Sequence, residues 1–71
     1  MEKRKHYWNG RWGRVARLDI VLYEDAGHWT LERRVGGVDG RAQLAEFDDE
    51  DAARDRLRDL LGGTEDWREL G

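Results

Sequence analysis

Cysteine, serine and proline are all missing from this 71-residue sequence. Without cysteine, neither a disulfide nor a thiolate metal site can exist. Without serine or cysteine, the only hydroxyl candidates beyond tyrosine are Thr30 and Thr64, so no nucleophilic triad is available. Long apolar runs are missing too: the longest is Ile20-Val21-Leu22-Tyr23, against about 20 residues for a membrane span. No apolar signal core follows the charged Met1-Glu2-Lys3-Arg4-Lys5. A cytoplasmic domain is the expectation, since cysteine-free chains fit a reducing compartment.

A chain this short forms one domain and buries only about 60% of the surface it exposes when unfolded. With no staple in view, one thin core should supply at most about 3–5 kcal/mol of net stability. Arginine outnumbers lysine eleven to two, a bias that points to genome composition rather than function. The net charge of −3 hides an asymmetry. Residues 1–17 carry six cations against Glu2 alone, a balance of +5, while residues 18–71 hold seven cations and fifteen anions, a balance of −8. A basic end on an acidic body reads either as an anion-binding arm or as two parts that pack together.

Along the chain, Tyr7-Trp8-Asn9-Gly10-Arg11-Trp12 carries a strong hairpin cue, because Asn-Gly suits a type I′ turn. That register would set Trp8 against Arg11 and Tyr7 against Trp12, with Gly13 as a bulge. Residues 14–24 read as a long strand with Ala16, Leu18, Ile20 and Leu22 on the core face. Val15, Arg17, Asp19, Val21 and Tyr23 share the other, a mixed face compatible with solvent. After the turn Asp25-Ala26-Gly27, residues 28–35 direct Trp29, Leu31 and Val35 one way. A glycine-rich turn, Gly36-Gly37-Val38-Asp39-Gly40, leads to a strand over 41–46 with Ala42 and Leu44 inward. Asp48 is the expected N-cap of a helix whose stripe is Ala53, Leu57, Leu60 and Leu61. Phe47 and Ala52 occupy staple positions, and Gly62-Gly63 ends the helix. Residues 64–70 suggest one more turn that folds Trp67 and Leu70 onto the sheet.

These elements predict an α+β fold: an antiparallel β-meander of three to four strands with one amphipathic helix on one face, in the order β-β-β-β-α. The single domain divides into a basic aromatic hairpin or arm (1–17), the meander (18–47), the helix (48–63) and a C-terminal turn (64–71).

Leu18 to Gly63 resembles a WGR-like domain. The matching stretches are Asp19-Ile20-Val21-Leu22-Tyr23-Glu24-Asp25, Trp29-Thr30-Leu31-Glu32-Arg33-Arg34 and Phe47-Asp48-Asp49-Glu50-Asp51-Ala52-Ala53. The resemblance implies the meander-plus-helix fold. The namesake Trp-Gly-Arg of that family falls where this chain has Val35-Gly36-Gly37, which matches Gly36 alone. The literal Trp12-Gly13-Arg14 lies upstream of the whole pattern. The family's contact with nucleic acid is therefore not carried over to these positions.

Neither a catalytic nor a cofactor site can be read from the residues. His6 and His28 lack partners at ligand spacing and read as exposed bystanders. Asp48-Asp49-Glu50-Asp51 lacks the alternating ligands and glycine of a calcium loop, and a helix cap accounts for it. Gly36-Gly37-Val38-Asp39-Gly40 is followed by neither Gly-Lys-Ser/Thr nor a helix, so it is no phosphate loop. A chain of this size also leaves little room for a water-excluding cleft around paired carboxylates. The expectation is a non-enzymatic domain with no metal, membrane or small-molecule substrate.

The basic, aromatic N-terminus alone invites a functional reading. Tyr7, Trp8, Arg11, Trp12, Arg14 and Arg17 form the candidate interaction surface. Successive side chains of a hairpin point to opposite faces, so some aromatic surface should stay exposed. Rings with an arginine rim suit a protein partner or a second copy, as in a homodimer. The same mixture, joined by Arg33, Arg34 and Arg41, would suit a nucleic-acid strand, although the acidic remainder would repel phosphate.

Overall fold

The computed structural model describes residues 2–13, 16–37, 40–63 and 65–71. Its elements are β1 (Glu2–Trp8), β2 (Leu18–Asp25), β3 (His28–Val35), β4 (Arg41–Phe47), α1 (Glu50–Leu61) and β5 (Arg68–Glu69). One antiparallel sheet has the order β4-β3-β2-β1-β5. The first four strands form a meander followed by the helix, which is the α+β arrangement expected from the sequence.

The core lies between the sheet and α1. Ile20, Leu22, Trp29 and Leu31 pack against Ala53 and Leu57, with Tyr7, Phe47, Leu60, Leu61 and Trp67 around them. The sheet members of this set share a face through register: Tyr7 opposes Ile20, Leu22 opposes Leu31, and Trp29 opposes Phe47. The helical stripe read from the sequence therefore lies against the sheet. Its N-cap is Asp49, not Asp48: the backbone of Asp49 is extended and its carboxylate accepts from the Ala52 amide at 3.2 Å. Asp48 instead receives His28, and the staple geometry that assumed a cap at 48 does not apply.

Two strand assignments are corrected. Ala42 and Leu44 do not point inward. Ala45 pairs with Leu31 and Phe47 with Trp29, so the odd residues of β4 share the core face and Leu44 is 65% exposed on the other. Residues 65–70 do not form a helical turn. Residues 65–67 are irregular, and β5 pairs with β1, Tyr7 opposite Glu69 and Trp8 opposite Arg68. Trp67 still packs on the core, but Leu70 is exposed.

The expected hairpin at Asn9-Gly10 is absent because β1 pairs over its length with β2, Trp8 opposing Asp19 and Glu2 opposing Glu24. A type I′ turn needs positive φ at both central residues, and Asn9-Gly10 has it only at Gly10 (+78°). The bulge falls between Lys3 and Lys5 rather than at Gly13. Segment 1–17 is thus neither hairpin nor free arm, since its first half is a sheet strand. The tight hairpin lies instead at Ala26-Gly27, with φ of 52° and 84° between the paired Asp25 and His28.

At the mouth of that hairpin, His28 places Nε2 2.9 Å from Glu46 and Nδ1 3.2 Å from Asp48, clamping β3 to the strand–helix junction. Hydrogen bonds to Glu46 and then Asp48 raise the His28 pKa above its ordinary value.

Three outcomes follow from this packing. Ala26 sits in a left-handed conformation that costs a non-glycine residue about 1 kcal/mol. Ala26→Asn should therefore raise stability by about 0.5–1 kcal/mol in urea unfolding. A Cβ on Gly40 would overlap the Val35 carbonyl, so Gly40→Ala should cost about 2 kcal/mol or more in the same assay. Because its folded pKa is raised, His28 contributes stability fully below about pH 6.5 and loses it as pH climbs through the folded value. The urea midpoint of the wild type should exceed that of His28→Gln at about pH 5.5, and the difference should shrink as pH rises through the raised folded value.

Candidate interaction surface

Alternation along β1 and β2 puts His6, Trp8, Asp19, Val21 and Tyr23 on the sheet face away from α1. Two of these, Asp19 and Val21, are buried rather than solvated, because His6 and Glu32 flank Val21 from the neighbouring strands. Trp8 ends β1 on this face, and the loop that follows brings Trp12 back to it. Their rings meet edge to face, centroids 4.8 Å apart and planes at 63°. The Arg17 guanidinium lies 5.4 Å from the Trp8 centroid and 5.2 Å from that of Trp12. On β5, Arg68 lies 5.8 Å from Trp8.

The loop holding Trp12 is shaped by Asn9, which is 3% exposed. Its side-chain Nδ2 donates to the Ala16 carbonyl at 2.7 Å, while Oδ1 accepts from the amides of Leu18 (3.0 Å) and Arg11 (3.2 Å). Asn9 thus spends its amide tying the start of the loop to its end, which is why it does not form the expected turn. Trp8 Nε1 donates to the Arg11 carbonyl at 2.8 Å and fixes the indole from the other side.

Arg17 is held between the rings by a fork to Asp19, Nε to Oδ1 at 2.7 Å and Nη2 to Oδ2 at 3.2 Å. His6 Nε2 lies 2.7 Å from Asp19 Oδ2. Burial by itself would raise the pKa of Asp19. Hydrogen bonds from Arg17 and His6 outweigh it and hold the carboxyl below its usual value. Both histidines therefore engage carboxylates and are not the bystanders that their spacing suggested.

Of the candidate residues, the structure brings Trp8, Trp12 and Arg17 together. Tyr7 points to the opposite face, packed on the core. Arg11 lies beside the cluster with Nε 3.8 Å from Glu65 Oε2, and Arg14 lies outside the described residues. Arg68, Asn9, Asp19 and His6 were missed. Arg68 reaches the cluster through the long-range pairing of β5 with β1, for which no local pattern exists, whereas Asp19 lies only two residues from Arg17. Beside the cluster, a groove of about 350 Å³ has Val21 and Tyr23 in its lining, along with Lys3, Glu32 and Arg34.

Comparison with protein-family models, with curated proteins and with solved structures returns no match. Among the described residues, no three His, Asp or Glu side chains converge as a metal-holding group, and no helix is long and apolar enough to cross a membrane.

Removing the Asn9 amide orphans the Leu18 amide and the Ala16 carbonyl. Asn9→Ala should therefore cost about 2–4 kcal/mol in urea unfolding. Asn9→Asp, which sets a carboxylate oxygen against the Ala16 carbonyl, should also destabilise.

Proposed function

We propose that this chain is a small non-enzymatic interaction module that binds protein, a partner or a second copy, through the Trp8–Arg17–Trp12 surface. The observation that carries this reading is Trp12. It is 73% exposed, yet held against Trp8 and Arg17 rather than left free. A large ring already fixed in place loses little conformational entropy on binding, and tryptophan beside arginine is the composition of interface hot spots.

Nucleic acid is the alternative, and charge pairing at the tryptophan surface weighs against it there. Arg17 is forked to Asp19, while Arg11 and Arg68 each have a carboxylate at 3.8 Å, from Glu65 and Asp66. Phosphate binding draws its energy from cations that release counterions, and cations already paired with carboxylates supply less of it. The WGR-like likeness is proposed for the scaffold alone, and cytoplasmic residence for the whole module rests on its cysteine-free composition.

The test is a selection from a random peptide library against the wild type, counter-selected on Trp12→Ala. Because Trp12 packs on one side only, Trp12→Ala should lower stability by no more than about 1.5 kcal/mol, so lost binding reports the surface itself. Selected peptides should bind the wild type and lose at least about tenfold in affinity on the variant. No enrichment, together with salt-sensitive binding of mixed-sequence oligonucleotides that Trp12→Ala abolishes, would replace this reading with the nucleic-acid one.

A further inference from the structure

The two edges of the sheet are unequal. At one edge β5 is two residues long, and the chain continues along β1 through Leu70 N to His6 O (2.7 Å) and His6 N to Gly71 O (3.0 Å). At the other edge lies β4, seven residues with six exposed and, among the described residues, no further strand beside it. Such an edge offers a row of peptide groups to an incoming strand. Between β4 and α1 runs a groove of about 460 Å³ lined by Leu31, Ala45 and Leu60, with Leu44 at its rim.

The charges here differ from most of those elsewhere. Arg4, Lys5, Arg11, Arg17, Arg34, Arg54, Arg58 and Arg68 each lie within ion-pair distance of a carboxylate. Among the described residues, Arg33, Arg41 and Arg56 have none, and neither has Lys3 on β1. Arg33 and Arg56 line this groove, and Arg41 shares the face of Gln43 at the start of β4. In a chain with more anions than cations, three of the four unpaired cations lie on or beside one open strand edge: Arg41 on β4, Arg33 on the neighbouring β3 and Arg56 on α1.

We infer that the outer edge of β4 receives an extended acidic segment of a partner protein as a sixth strand. Main-chain hydrogen bonds to β4 would supply affinity and alternate side chains specificity. Residues of that segment on the helix side would be acidic, facing Arg41, Arg33 and Arg56. Those on the other side would be apolar, covering Leu44. A second copy fits less well, since pairing β4 with β4 brings the same three arginines together, and like charges at an interface oppose docking. Phosphate would use the arginines but neither the peptide edge nor the apolar lining. This surface lies at the opposite edge of the sheet from Trp8 and β5, so it stands or falls independently of the Trp8–Arg17–Trp12 reading.

The probe is a fluorescein-labelled seven-residue peptide alternating Glu with Val, titrated by anisotropy into the full chain at two salt concentrations. Binding should be salt-sensitive, and it should slow amide hydrogen exchange across Arg41–Phe47. The affinity should fall at least about fivefold with Arg56→Glu or Arg33→Gln and stay unchanged with Trp12→Ala. A fully N-methylated peptide, which cannot donate to β4, should not bind. Several results would overturn the inference: equal binding of a Lys-for-Glu peptide, unchanged exchange at β4, or displacement by mixed-sequence oligonucleotide. Exchange protection of β4 that appears with protein concentration alone would assign the edge to a second copy instead.

Discussion

One helix can cover only one face of a five-stranded sheet, and most of this structure follows from that constraint. The twelve residues of α1 bury Ala53 and Leu57 against Ile20, Leu22, Trp29 and Leu31 and leave the other face to be managed without a second layer. That face is closed by charge and hydrogen bonding instead. Asp19 gathers Arg17 and His6, and Tyr23 donates to Glu32, which also accepts from Arg34. Because Asp19 is buried, its partners offset the cost of taking its charge out of water more than they add net stability. The pairs nonetheless fix where the long side chains lie.

The tryptophan surface is a by-product of that closure. Arg17 lies beside Trp8 and Trp12 because Asp19 holds its guanidinium, and Asp19 stays ionised because Arg17 and His6 outweigh the effect of its burial. Asn9 closes the loop that returns Trp12 to the sheet. Sequence distance is small here, from Trp8 to Asp19, yet the geometry is set by the pairing of β1 with β2 rather than by a local turn. The edges show the same economy: β5 and Gly71 cover β1, while among the described residues β4 stays bare beside unpaired arginines.

How legible each part was depended on whether its cause is local. The helix was plain because a four-residue spacing of Ala53, Leu57 and Leu61 is a local property, and so were the alternating apolar residues of β2 and β3. The N-cap slipped by one because Asp48 and Asp49 are chemically equivalent, and only His28, twenty positions away, decides between them. The face of β4 was misjudged because both of its parity sets contain small or apolar residues: Ala42 and Leu44 in one, Ala45 and Phe47 in the other. Register against Leu31 and Trp29 selects the second. Asn9-Gly10 misled because the cue for a type I′ turn is also a buried amide with three hydrogen bonds to make. Ala26-Gly27 adopts the tight turn with a residue that disfavours it. Within the candidate site, Trp8, Trp12 and Arg17 were legible from composition. Tyr7 was not separable from them until β1 was seen to be a sheet strand.

The central claim is that the loop after β1 presents a fixed aromatic surface rather than a mobile one. Far-ultraviolet circular dichroism tests it most directly, because two indoles held 4.8 Å apart at a fixed angle couple their transitions. The difference spectrum between the wild type and Trp12→Phe should be a couplet of opposite-signed bands, and Trp8→Phe should remove the same couplet. A featureless difference spectrum, in a protein shown to be folded by its cooperative unfolding, would mean that Trp12 does not hold its place on Trp8 and would contradict the account.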